Sequence, residues 1–232
     1  MSSTSANTWD RFGRLRERWS DPLLTVLTIL LLCMMFVFAP LQTSEVLVFE
    51  GIEFVFALAI IGGVLILSGS PTATVILLFA LGINVIGAVL QLRQQTKLDI
   101  YLVAGAWLML GLTLSVVAAR AVFAPGRVTY HRIIGAILLY LTIALSFVAL
   151  FTFVGLLIPN AISGIAIEDS PALASNLIYF SFVTLTSTGY GDIVPLHPIA
   201  RSLCNLESII GQLYPATLLA RLVTLELESR RV

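Results

Sequence analysis

Charge is what this sequence has least of. Asp, Glu, Lys and Arg make up 11% of its 232 residues, and the 13 bases balance the 13 acids. A soluble domain of this size carries roughly a quarter charged residues, so a water-facing globular fold is excluded and an integral membrane protein is expected. Zero net charge leaves no electrostatic footprint for nucleic acid. Cysteine and histidine are scarce too. Cys33 and Cys204 lie far apart in apolar runs, which suits small buried hydrophobes rather than a disulfide or metal pair. His131 and His197 are too scattered for a metal site, although both titrate near neutral pH. Without a nucleophile–base pair, metal cluster or phosphate loop, the expectation is a protein that is not an enzyme and holds no organic cofactor.

What the chain has in abundance is apolar length: 58% of it is hydrophobic and the mean hydropathy is +1.00. A bilayer core of roughly 30 Å takes about 20 residues of helix. Apolar runs at 23–39, 46–68, 72–92, 100–123, 130–158 and 197–225 predict six spans. Punctuation divides them: Pro40 and its polar followers, "SGSP" at 68–71, "RQQTKLD" at 93–99 and "APGRVTYHR" at 124–132. Residues 1–22 carry Trp9, Phe12, Leu15 and Trp19 at near-helical spacing among Arg11, Arg14 and Arg18. That pattern reads as a cytoplasmic interfacial segment resting on membrane lipids, or as a topogenic charge cluster. Placing both termini in the cytoplasm puts ten arginines inside (11, 14, 16, 18, 120, 127, 132, 221, 230 and 231) and leaves Arg93, Lys97 and Arg201 outside.

One segment is neither loop nor full span. Ser170 and Pro171 make a helix start, an N-cap followed by a suitable first residue. The apolar stretch behind them, to residue 186, would reach only about 22 Å. Such a helix enters the membrane and stops, handing over to irregular backbone that survives there only if protein buries it or water lines it. The handover is "TLTSTGYGDIVP", residues 184–195. Glycines at alternate positions, Gly189 and Gly191, can take positive φ and turn successive carbonyls to one side. An oxygen ladder of that kind replaces the hydration shell of a monovalent cation.

The row Thr-Ser-Thr-Gly-Tyr-Gly-Asp from Thr186 to Asp192, set between a half-length helix and a full span, resembles the signature of tetrameric potassium channels. The resemblance covers residues 130–226. It implies an all-α membrane protein with six transmembrane helices, a re-entrant pore helix and a filter loop. Residues 23–123 would form a four-helix sensor-like domain and 124–132 a cytoplasmic linker. The pore domain, 133–226, would contain a pore helix at 171–186, a filter at 187–191 and an inner helix at 197–225, before a short cytoplasmic tail, 227–232. It further implies K+ ions held by Ser187, Thr188, Gly189 and Tyr190, with Gly191 completing the filter. Thr186 would end the pore helix, and the Tyr190 ring would pack on Tyr179 and Phe180. One chain supplies one copy of the row, and oxygens from one chain cannot encircle an ion, so a homotetramer is expected.

Several residues depart from the family pattern. Ser187 and Thr188 stand where threonine and valine are usual. The positions matched to the residues that brace the acid after the filter are Phe180 and Val183, which have no hydrogen-bonding group, leaving Asp192 to water, backbone or Arg201. Glu207 is an ionisable group inside a span, costly there and usually functional. Three roles are open for it: a bond to the back of the pore helix at Thr184 or Thr188, an acid facing the cavity, or a protonated interhelical bond with no part in conduction. Gly211 matches the family's inner-helix hinge, with Pro215 one turn on. Gln212, Leu219 and Val223 would face the pore.

The fourth span carries a single arginine, Arg120. Without a series of charges, steep voltage sensing is unavailable, since each charge moved is worth about 2.3 kcal/mol per 100 mV. The stretch after Arg221 is too short for a ligand-sensing fold. The expected function is passive potassium conduction in a plasma membrane, prokaryotic by its short outer loops. The alternatives are a weakly selective cation channel of the same build and a non-conducting regulatory subunit.

Overall fold

The computed structural model describes residues 22–43, 52–68, 71–93, 97–123, 130–168 and 170–230. The interfacial segment expected at 1–22 falls almost wholly outside them, as do residues 124–129 of the linker. An apolar chain in lipid must close its backbone hydrogen bonds within itself, and helices do so. The long helices are α1 (Pro22–Thr43), then α2 (Ile52–Ser68), α3 (Pro71–Arg93), α4 (Lys97–Phe123), α5 (Tyr130–Leu157) and α7 (Pro198–Arg230); between the last two lies the short α6 (Pro171–Leu185). Among the described residues three stretches are long and apolar enough to cross a membrane: α1, Leu98–Arg120 and Ile133–Leu157. The apolar parts of α2, α3 and α6 are shorter, at Val55–Val64, Thr72–Gly87 and Ala172–Leu185.

Three boundaries differ from the sequence reading. Pro40 does not end the first helix. A π-helical turn over Met34–Phe38, closed by the Ala39 N–H on the Met34 carbonyl, precedes it, and Ala39–Thr43 continue as α-helix through the proline. The widened turn re-spaces the ladder just where proline removes a donor. At the other end α7 runs to Arg230, past the boundary placed at 226, and α5 begins at Tyr130, inside the segment assigned as linker.

Two cores organise the packing. The larger joins Leu27, Leu31, Ile60, Leu77, Leu110, Leu114 and Leu138 of α1–α5 to Ile178 and Leu185 of α6. The first helix reaches α6 directly: Phe36 meets Phe182 with ring centroids 4.9 Å apart. The smaller core gathers Phe147 and Phe151 of α5, Leu177 and Phe180 of α6 and Ala200 of α7. Above it a two-residue strand, β1 (Ile162–Ser163), pairs antiparallel with β2 (Val194–Pro195), Ile162 opposite Pro195 and Ser163 opposite Val194.

Candidate functional site

The site is built where α6 stops. Ser170 is the N-cap residue of α6 in extended backbone with Pro171 after it, though its hydroxyl makes no capping bond. At the far end, Thr186 closes the helix, and Ser187 takes φ +57°. The Ser187 N–H donates to the Thr184 carbonyl at 3.0 Å and the Thr188 N–H to the Val183 carbonyl at 2.9 Å. That pair of bonds, with a left-handed residue between, is the Schellman ending usually given to glycine. Gly189 and Gly191 follow at φ +59° and +87°. Positive φ thus falls on residues 187, 189 and 191 in alternation, starting two residues earlier than the glycines announce. No sequence signal marked Ser187, because serine carries no preference for that region.

Each flank of the row is tied down. On its C-terminal side the Leu196 and His197 N–H groups donate to the Ala161 carbonyl at 2.8 and 3.1 Å. Gly164, at φ +88°, lets the preceding turn lie against the loop: a Cβ there would come within 2.4 Å of the Asp192 carbonyl oxygen. The Tyr179 hydroxyl donates to the Asp192 carboxylate, 3.0 and 2.9 Å from its two oxygens. The Tyr179 ring also stacks on Tyr190, centroids 6.2 Å apart and planes 4° off parallel.

These contacts correct two expectations. Arg201 does not brace Asp192; its Nε donates to the Pro195 carbonyl at 3.1 Å. Phe180 does not pack on Tyr190; it is buried against Phe151, centroids 4.8 Å apart. One helical position separates Phe180 from Tyr179, about 100° around the helix, so only one of the two can face Tyr190.

Behind the row, α7 lies along α6 with one stripe of residues. The Glu207 carboxyl oxygen Oε1 is 2.5 Å from the Ser181 hydroxyl, so its partner is Ser181 rather than Thr184 or Thr188. The Thr184 side chain bonds Cys204 of α7 instead, and the Thr184 carbonyl accepts from Ser208 Oγ at 3.1 Å. Thr188 Oγ1 lies 2.8 Å from Thr186 Oγ1 instead. Gln212 Nε2 donates to Ser187 Oγ at 3.1 Å. Gly211 sits at the crossing, where a Cβ would fall 1.8 Å from the Leu185 carbonyl oxygen. Two turns after Glu207 and on nearly the same face, α7 is held by Tyr214, which donates to the Ala136 carbonyl at 2.8 Å and stacks on Tyr140 at 5.8 Å. Pro215 follows within the helix and cannot bond the Gly211 carbonyl.

Residues 186–192 are all exposed in the single chain, Tyr190 by 72%. So are Leu219 at 64% and Val223 at 51%. Among the described residues no group of His, Cys, Asp and Glu could hold a metal ion.

Residues 133–227 match the ion channel family model. The match begins in α5, takes in α6, the 186–192 row and its flanks, and ends in α7. The match supports an ion channel domain over these residues, and the long apolar helices fit a membrane setting. Among curated proteins, Protein LctB of Bacillus caldotenax is 34% identical over 65 residues, which cover 28% of this chain and 45% of that protein. The chain thus spans under half the length of this relative. No solved structure matches.

Proposed function

We propose that the ion channel domain conducts potassium selectively as a homotetramer, without steep voltage dependence. The observation that carries the reading is the alternation of positive φ at Ser187, Gly189 and Gly191. Residues alternating between mirror-related backbone regions can turn successive carbonyls to one side. Ser187, Thr188, Gly189 and Tyr190 would then offer stacked oxygens, with Gly191 as the outer turn, and K+ would exchange water for them.

Exposure supports assembly. No atom outside the immediate chain lies within 4 Å of a Cβ built on Gly189 or Gly191. A row left without walls by its own subunit needs them from others, and four rows around an axis supply them. In that assembly Leu219 and Val223 would line the inner pore with Gln212 above them, and Gly211 with Pro215 would mark the bending point. The termini would be cytoplasmic and the membrane a prokaryotic plasma membrane.

A weakly selective cation channel is the second reading, favoured by one contact: Thr188 spends its hydroxyl on Thr186 where an apolar side chain would pack. Reversal potential decides between them. With potassium on one side of a planar bilayer and sodium on the other, the purified protein should reverse near the potassium equilibrium potential, and Gly189→Ala should abolish this. Reversal near zero gives the weakly selective channel. Absence of any current from an assembled tetramer overturns both.

A further inference from the structure

Glu207 is 0% exposed in the single chain, so no neighbouring subunit or solvent touches it without rearrangement. Its Oε1 faces the Ser181 hydroxyl, and that same hydroxyl lies 3.1 Å from the Ala144 carbonyl oxygen of α5. Its Oε2 is buried and has no hydrogen-bond partner among the described residues. The neighbouring titratable groups are Tyr140 on α5 and Cys204 one turn earlier on α7.

Hydrogen counting makes this arrangement informative. A serine hydroxyl has one proton to give, and here it stands between two oxygens that both accept. An ionised Glu207 would take that proton, leave the contact to Ala144 without one, and bury a second anionic oxygen with no donor, an expensive arrangement in a dry interior. A charge-assisted bond could be as short as the one seen, so length does not discriminate, but the count does. With a proton on the carboxyl, Glu207 donates to Ser181 and Ser181 donates to Ala144, and every hydrogen in the chain has a place.

We infer that Glu207 works as a neutral acid, the head of a carboxyl–hydroxyl–carbonyl chain joining inner helix, pore helix and outer helix directly behind the filter row. The chain makes Glu207 a positioning residue. It sets the depth of α6, and through the Schellman ending at Val183 and Thr184 it sets the height of Ser187 and Thr188. That second step rests on the conducting role proposed above; the protonation state does not.

The test has two arms that fail separately. Infrared spectra of the purified protein in lipid at neutral pH, wild type minus Glu207→Gln, should contain a protonated-carboxyl C=O band, and that band should shift in Ser181→Ala. Its absence shows an ionised Glu207 and overturns the inference whatever the protein conducts. In bilayers, Glu207→Gln, which keeps a donor in the same place, should retain wild-type selectivity. Glu207→Leu should lose it by tenfold or more in permeability ratio while still assembling. If glutamine fails as badly as leucine, the negative charge is what matters and the neutral chain is wrong. If leucine conducts with unchanged selectivity, the positioning role is wrong.

Discussion

Glycines in the first four helices and glycines around the filter row do different work. A Cβ added at Gly62 or Gly82 meets nothing within 4 Å, and at Gly63 it meets only the end of the Leu27 side chain, at 2.7 Å. At Gly164 and Gly211 it meets main chain: the Asp192 carbonyl oxygen at 2.4 Å and the Leu185 carbonyl oxygen at 1.8 Å. A side chain can rotate away, whereas a carbonyl moves only with its element. The first region tolerates an added side chain at Gly62, Gly63 and Gly82, and tightens where α4 meets α5, at Gly111, whose Cβ would lie 2.7 Å from Ser146 Oγ and 3.5 Å from the α5 main chain. The second is held by backbones in direct apposition and short polar ties. In lipid, apolar contact between helices carries little of the drive it has in water, and small residues with interhelical hydrogen bonds fix register. The region matched by the ion channel family uses them at closest range, and α4 joins it through Gly111 and the Ser115 hydroxyl, 2.9 Å from Thr142 Oγ1.

The largest effect is expected at the crossing of α6 and α7. Gly211→Ala forces the helices apart and strains the bonds from Glu207, Ser208 and Gln212 together. Overpacking typically costs about 1–3 kcal/mol, and each weakened bond adds up to about 1 kcal/mol. Thermal unfolding in detergent should show a loss of at least about 2 kcal/mol, and current in bilayers should vanish. A stable, conducting Gly211→Ala protein would mean the crossing is looser than drawn and would remove the basis of the comparison.

Gly164→Ala should come next. Positive φ there disfavours a side chain by about 1 kcal/mol, and the contact with Asp192 adds steric strain. Because the turn lies outside the helices, the expected signature is a faster loss of current with time rather than failure to assemble. Tyr179→Phe removes one hydroxyl from Asp192 and keeps the stacked ring on Tyr190. The loss in stability should be small, because the pair is exposed and solvent screens it. Open-channel lifetime is the measurement, and unchanged lifetimes would reassign the outer brace to the Ala161 carbonyl alone.

What the sequence made legible is set by locality. The short helix α6 was visible because Ser170-Pro171 and the polar row bound a run too short to cross. Positive φ at Gly189 and Gly191 was visible because glycine announces it. The partners were not visible. Whether Glu207 meets Ser181 or Thr184 depends on how far α7 slides along α6, and the crossing at Gly211 fixes that slide. Whether Asp192 meets Tyr179 or Arg201 depends on which face of α6 turns to the filter, and Phe180 decides it by seeking Phe151. The left-handed Ser187 follows from the helix ending, and nothing in its residue type foretold it.

The smallest effect should lie in the first region, and its sign should reverse. Gly62 and Gly82 sit inside helices α2 and α3, where glycine leaves the unfolded chain freer than alanine would by roughly 0.5–1 kcal/mol. With no atom of the described residues, beyond the glycine's own helix backbone, within 4 Å of the added Cβ at either position, Gly62→Ala and Gly82→Ala have that gain to collect and no clash within the single chain to offset it. Thermal unfolding in detergent should therefore move slightly upward, with conduction unchanged. The double substitution should be additive, since the two sites share no partner. A loss at either position comparable to that of Gly211→Ala would show that a surface open in the single chain is covered by a close neighbour in the assembly. The first region would then also depend on backbone apposition, supplied between subunits rather than within one.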